Sequence, residues 1–422
     1  MTERTTAGTA SVSTAERGLG EAERVELTVD AVAPGGHCVA RVDGQVVFVR
    51  HALPGERVIA EVTEVHRGFV RADAVTVLDP SPDRVQPPCP YAKPGACGGC
   101  DLQHVAPAAQ LAWKTAVVRE QLARLGGLTD VELDRLGVQV EALPGGPLGW
   151  RTRVRYAVDA ADRAGLLKHR SHEVVPIDRC RIAHPAIQQL AVLSPAGARW
   201  PAAEAVETVV SGGGDVSVAE VRDGVVTPVS GPTEVREVAA GRDWALPASA
   251  FWQVHPAAAD TLNTAVLELL DPQPGEVAWD LYGGAGLFAA GLAARVGASG
   301  RVTLVEASAQ GVAAARENLA DLPRVEVVSA RVETALARRR ITGPVDVVVL
   351  DPPRSGAGAP VVRALAAAGP RAVAYVACDP AAFARDVRTF AELGWRLTAL
   401  RGFDLFPMTQ HVECVGLLLP PA

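Results

Sequence analysis

Cys378 ends an apolar run, Ala372 to Ala377 in "AVAYVACDPAAFARD"; Asp379-Pro380 follow, and Ala381 is expected to open a helix. Open α/β sheets keep their ligands just past the carboxyl ends of their strands, so a thiol there is placed to act as a nucleophile. The helix start behind it is expected to lower its pKa. A free cysteine is also a common inert packing residue, so the reading depends on what shares the edge. In "DLYGGAGLFAAGLAA" (280–294), Gly284, Gly286 and Ala289 fit the G-x-G-x-x-G/A turn between a strand and a helix. Glu306 follows twenty residues after Gly286, at the end of "VTLVE", where a carboxylate accepts from ribose hydroxyls. Asp351 in "VVLDPPRSGAG" adds a second carboxylate at a later strand end. An adenosine cofactor fits this set, either NAD or S-adenosylmethionine. Asp280 and Asp351 would repel a pyrophosphate, and Asp280 suits the ammonium of a methionine moiety, which favours S-adenosylmethionine.

A second group of chemically able residues lies elsewhere. "CPYAKPGACGGCDLQH" (89–104) presents Cys89, Cys97 and Cys100, and Cys180 in "PIDRCRIAHP" is a distant fourth. Three clustered thiols with one remote suit an iron–sulfur cluster, whereas structural zinc more often uses two C-x-x-C pairs. Cys38 and Cys414 have no such company and are expected to pack.

These residues need elements to position them. A chain of 422 residues with 48% hydrophobic and 21% charged residues is a folded protein of two or three domains. Residues 1–24 are polar and small and are expected to be a disordered leader. Residues 25–78 carry five short strands, with a hairpin signal at Asp43-Gly44, and suggest a small β-barrel of a kind that binds oligonucleotides. A proline-rich stretch, 79–91, starts a mixed α+β central domain running to residue 250. Residues 251–422 alternate strand and helix, which predicts βαβ units in a mostly parallel sheet, ending in a strand pair that gives a mixed edge.

There is no apolar signal segment and no membrane-length span, so a cytoplasmic protein with reduced thiols is expected. The net charge of −7 argues weakly against nucleic acid. Residues 151–181, however, hold eight Arg or Lys against four Asp or Glu. There Arg151, Arg153 and Arg155 are expected to line one face of a strand and meet nucleic-acid phosphates. No oligomeric partner is indicated.

Six motifs, "CPYAKPGACGGCDLQH", "FWQVHP", "DLYGGAGLF", "LDPPRSGAG", "YVACDPAAFARD" and "HVECVGLL", resemble in order those of the bacterial RNA uracil-5-methyltransferases. The likeness spans about residues 25–422 and is nearest to members that modify 23S ribosomal RNA and carry a 4Fe-4S cluster. It implies a Rossmann-like class I methyltransferase domain over 251–422 and a TRAM-like barrel over 25–78. It further implies Cys378 as nucleophile and Glu413 as base. Gln253, Tyr282, Glu306 and Asp351 would contact S-adenosylmethionine, and Cys89, Cys97, Cys100 and Cys180 would ligate the cluster. Transfer RNA is the alternative substrate. A non-catalytic RNA-binding protein on a methyltransferase fold is the alternative of another class. Gly283 departs from the pattern, because many ribosomal-RNA members have cysteine there.

Overall fold

The structure, a computed structural model, describes residues 18–193 and 198–421. Most of the stretch expected to be a disordered leader lies outside those residues. The chain forms two compact units, residues 1–86 and 87–422. In the first, strands β1 (Arg24–Ala33), β2 (His37–Val42), β3 (Gln45–Arg50), β4 (Arg57–Val65) and β5 (Phe69–Asp79) close a barrel in the order β1-β2-β3-β5-β4. Asp43 and Gly44 both take positive φ, 48° and 83°, which suits the tight turn between β2 and β3. The fully buried Glu56 accepts from the Leu53 and Ser81 N–H groups and from Arg84, so the segment after β5 is tied back onto the barrel.

The second unit begins with α1 (Pro107–Arg124), α2 (Asp130–Leu136) and β6 (Val140–Ala142). An antiparallel sheet follows, built from β7 (Arg153–Val158), β8 (Ala164–Leu167), β9 (Val174–Pro176), β10 (Ala205–Val210), β11 (Val216–Arg222) and β12 (Val225–Ser230). The short helix α3 (Pro185–Gln188) precedes β10, and β13 (Glu234–Ala239) with β14 (Arg242–Pro247) form a separate hairpin.

The remaining elements alternate: α4 (Ala258–Leu270), β15 (Val277–Leu281), α5 (Leu287–Val296), β16 (Arg301–Glu306), α6 (Ala309–Asn318), β17 (Val325–Ser329), α7 (Val332–Ala337), β18 (Val347–Leu350), α8 (Ala359–Ala368), β19 (Ala372–Ala377), α9 (Pro380–Glu392), β20 (Arg396–Asp404) and β21 (Glu413–Leu419). Their sheet runs β17-β16-β15-β18-β19-β21-β20-β6, parallel except for β21. Two large apolar clusters cover its two faces, one built on α4, α5 and α6 and the other on α1, α8 and α9. This double cover explains why β18 and β19 are wholly buried and, but for Tyr375, apolar. The strand order reverses between β15 and β18, the place where such sheets open a crevice. β6 was not expected: a strand from the stretch assigned to the central domain pairs with β20 and completes the sheet. Among the described residues, no helix is long and apolar enough to cross a membrane.

Candidate active site

A cavity of about 610 Å³ lies over that crevice. Cys378, Glu413, Gln253, Tyr282, Gly284, Glu306 and Asp351 all line it. Each reaches the cavity for a local reason. Tyr282 and Asp351 follow directly on β15 and β18, Glu306 ends β16, Cys378 follows β19, and Glu413 opens β21. Gly286 does not line the cavity. It caps α5 with φ 101°, and a Cβ there would meet Leu319 at 2.6 Å, so this glycine serves the turn. Asp280 does not line it either. Its Oδ2 accepts from the Ala289 N–H at 2.8 Å and anchors the start of α5, while Oδ1 is buried without a partner in the chain. Asp280 thus supports the glycine turn from behind the cavity wall. Glu306 stretches its carboxylate across the turn, accepting from the N–H groups of Gly284 at 3.0 Å and Ser308 at 2.6 Å.

Four acids crowd the cavity and its wall. Burial raises Asp351 to about 7. Burial and then the Asp351 charge raise Asp280 to about 7. Glu413, 4% exposed, is pushed well above the carboxylate range by burial and then by Asp351, with Arg354 opposing. Cys378 is pushed up to about 12, by burial first and then by Glu413 and Asp351. This corrects the expectation of a lowered thiol pKa. The helix behind Cys378 is already capped by the Asp379 carboxylate, which accepts from the Ala382 N–H at 2.8 Å, so its N-terminus offers the thiol little. Arg354 is the cation opposing these shifts, and the resting thiol is protonated.

One support carries no mark in the sequence reading above. Asp386 on α9 accepts from the Ala357 N–H at 2.8 Å, the Gly358 N–H at 3.2 Å and the Tyr375 hydroxyl at 2.6 Å, fixing the loop that carries Pro352–Arg354. A carboxylate inside the otherwise apolar stripe of α9 was the signal available. The glycine at 283 also has a packing reason. A Cβ there would lie 2.5 Å from Leu304 Cγ and 3.0 Å from Asp280 Oδ2.

Cys89, Cys97, Cys100 and Cys180 line a second, smaller cavity together. Gly98 lets the C-x-x-C turn approach the Lys168–His169 backbone, where a Cβ would meet His169 N at 2.3 Å. Gln103 holds the loop start by accepting the Cys89 N–H at 3.0 Å. Burial raises the thiols of Cys97 (to about 11), Cys100 and Cys180, and neighbouring thiols of the set raise them further. Among the described residues, no three His, Cys, Asp or Glu side chains converge on a point that could hold one metal ion. The donor set, four thiols lining one hollow, is of the kind an iron–sulfur core takes.

The three arginines go to three places. Arg151 lines the cysteine cavity. Arg153 turns inward, donating to Glu237 at 2.6 Å and to the carbonyls of Ala248 and Ala250. Arg155 pairs with Glu207 on the neighbouring strand. The three do not form one exposed row: Arg153 is buried against Glu237, while Arg155 stays more than half exposed beside Glu207.

The sheet order, the glycine turn and the carboxylates beneath one cavity define a class I, S-adenosylmethionine-dependent methyltransferase. Residues 21–75 match the TRAM domain, and residues 243–421 match the tRNA (Uracil-5-)-methyltransferase family. An RNA methyltransferase of Streptomyces avermitilis is 48% identical over 95% of this chain and 99% of its own length. The 23S rRNA (uracil(1939)-C(5))-methyltransferase RlmD of Thiobacillus denitrificans is 35% identical over 90% of this chain and 96% of its own. The crystal structure of Pyrococcus abyssi tRNA (uracil-54, C5)-methyltransferase with S-adenosyl-L-homocysteine shares the fold, with TM-score 0.69 and 22% identity over 93% of this chain and 99% of that one. The chain belongs to the RNA uracil-5-methyltransferase family: it is an enzyme that methylates RNA with S-adenosylmethionine.

Proposed function

We propose that the enzyme methylates carbon 5 of one uridine in 23S ribosomal RNA through a covalent Cys378 adduct. The observation that carries the mechanism is that Cys378 and Glu413 face the same cavity as Asp351 and Arg354. Carbon 5 of uracil is a weak nucleophile. The Cys378 thiolate adds to carbon 6, placing the electron pair on carbon 5 and the carbon 4 oxygen as an enolate. Carbon 5 takes the methyl from the sulfonium, releasing S-adenosylhomocysteine. Glu413 then removes the carbon 5 proton, the double bond re-forms, and the thiolate leaves. Gln253, Tyr282, Glu306 and Asp351 hold the cofactor.

A sulfonium cation entering this acid-lined cavity lowers the pKa of its acids. Cofactor binding thereby makes the thiolate and the carboxylate base accessible. Cys89, Cys97, Cys100 and Cys180 would hold a 4Fe-4S cluster, which when bound cross-links distant segments and offers electron-transfer chemistry that methyl transfer does not use. The cysteine set and the 35% identity to a 23S rRNA enzyme support ribosomal over transfer RNA.

RNA carrying 5-fluorouridine tests the mechanism, because fluorine cannot leave as a proton does. The wild-type enzyme is expected to form an adduct stable on denaturing gels, and Cys378→Ala none; an adduct with the variant sinks the covalent route. Mapping 5-methyluridine in a deletion strain tests the substrate, and loss confined to transfer RNA would reverse the choice.

A further inference from the structure

Eight residues join β20 to Glu413, and the connection is held at every second residue by a segment that does not line the cavity. Lys114 Nζ donates to Asp404 Oδ1 at 2.6 Å and to the Phe406 carbonyl at 3.1 Å. Gln110 accepts the Met408 N–H at 3.0 Å and donates to the Met408 sulfur at 3.3 Å. The Leu102 N–H donates to the Met408 carbonyl at 2.9 Å. Asp101 Oδ2 accepts the Gln410 N–H at 3.1 Å. Residues 404, 406, 408 and 410 are thus each anchored by Asp101–Lys114, while Phe406 and Glu413 of the same stretch line the cavity.

The Lys114–Asp404 pair is the costly part. The Lys114 side chain is 0% exposed and that of Asp404 6%. Burying such a pair takes both charges out of water, so its attraction roughly cancels its desolvation and little stability follows. Its effect is on position. One ammonium grips a carboxylate and a carbonyl on either side of Leu405, fixing the direction in which the chain leaves β20. We propose that Lys114, through Asp404 and the Phe406 carbonyl, is a positioning residue for the Glu413 carboxylate, and so for removal of the carbon 5 proton. This rests on the covalent reading above.

Lys114→Met strands a buried carboxylate and is expected to lower the melting temperature. Lys114→Met with Asp404→Leu replaces the pair by apolar groups of similar size and is expected to restore it. Both variants should keep S-adenosylmethionine affinity by calorimetry, yet lose kcat by about ten- to a hundredfold, as a misplaced catalytic group does. The RNA KM should hardly change. Both should accumulate methylated covalent protein–RNA adduct on denaturing gels, as Glu413→Gln does in parallel. A double variant that recovers kcat along with its melting temperature makes the pair merely structural and overturns the proposal. Slow turnover without adduct, while Glu413→Gln does accumulate it, also overturns the proposal and leaves the covalent reading intact. Absence of adduct in Glu413→Gln as well takes down that reading and the proposal with it.

Discussion

The Cys378 cavity and the four-cysteine cavity are built on opposite plans. The first hangs from the ends of consecutive strands, so each of its strand-end residues is one step beyond an element that neighbouring residues already specify. The second closes around segments near residues 89–103, 151–154 and 177–182, which no single element brings together. Their electrostatics differ as well. In the first, burial carries Asp351 to about 7, and burial with the added Asp351 charge carries Asp280 to about 7, within reach of proton transfer under ordinary conditions. The second has only thiols for ligands, driven up by burial and by each other, and a bound metal centre is what would make them thiolates. On the proposed reading, one cavity reacts and the other fastens.

The contrast breaks most easily at Cys378. Cys378→Ala is expected to cut turnover by about 10⁴-fold or more, the scale lost with a covalent nucleophile. Cofactor affinity and iron content should stay unchanged, and appreciable methylation by the variant would end the distinction. Next in size is the reactivity of the resting thiol. With its pKa at about 12, Cys378 is protonated at neutral pH and gains thiolate only as pH rises. Its alkylation by iodoacetamide at pH 7, read by peptide mass spectrometry, should be slower than that of a free cysteine by about a hundredfold or more, and should climb about tenfold per pH unit. S-adenosylmethionine should speed it and S-adenosylhomocysteine, whose thioether sulfur carries no charge, should not; equal effects of the two would remove the sulfonium from the account.

A smaller effect is expected at the other cavity. Cys100→Ser should lose bound iron and the broad absorbance about 400 nm of a thiolate-bound cluster. Turnover should fall by about tenfold through a loosened fold, since the chemistry lies elsewhere. Full iron content in the variant would dismiss Cys100 as a ligand. The smallest change belongs to Gly283→Ala, whose Cβ must push Leu304 aside. It should weaken S-adenosylmethionine binding by about three- to tenfold, with kcat nearly intact. Adding Leu304→Val should recover part of the loss.

The same difference explains what could be foreseen. Cys378, Glu306 and Asp351 were legible because strand pattern and neighbouring turn residues place them without knowledge of anything distant. The barrel was legible for similar reasons, its turns being written locally at Asp43-Gly44 and Pro54-Gly55. Arg153 was misjudged because its partner, Glu237, is 84 residues away, and period-two spacing says which face a side chain takes but not what covers that face. The thiol pKa differs for a related reason: the helix start and both carboxylates are visible in the sequence, but the burial of Cys378, the largest cause of its shift, depends on the whole fold. Lys114 and Asp404, 290 residues apart, carried no local signal beyond a lysine on an otherwise mixed helix.

β6 has a consequence for the gene as well as for the sheet. Three residues, Val140–Ala142, lie parallel to Gly402–Asp404, and the Val140 N–H also donates to Thr115 on α1. A fragment cut near residue 243, where recognisable methyltransferase sequence begins, would leave β20 as a bare edge inviting intermolecular pairing. The catalytic part is therefore not a self-contained module: its sheet and apolar cover draw on β6 and α1, both upstream of the matched segment.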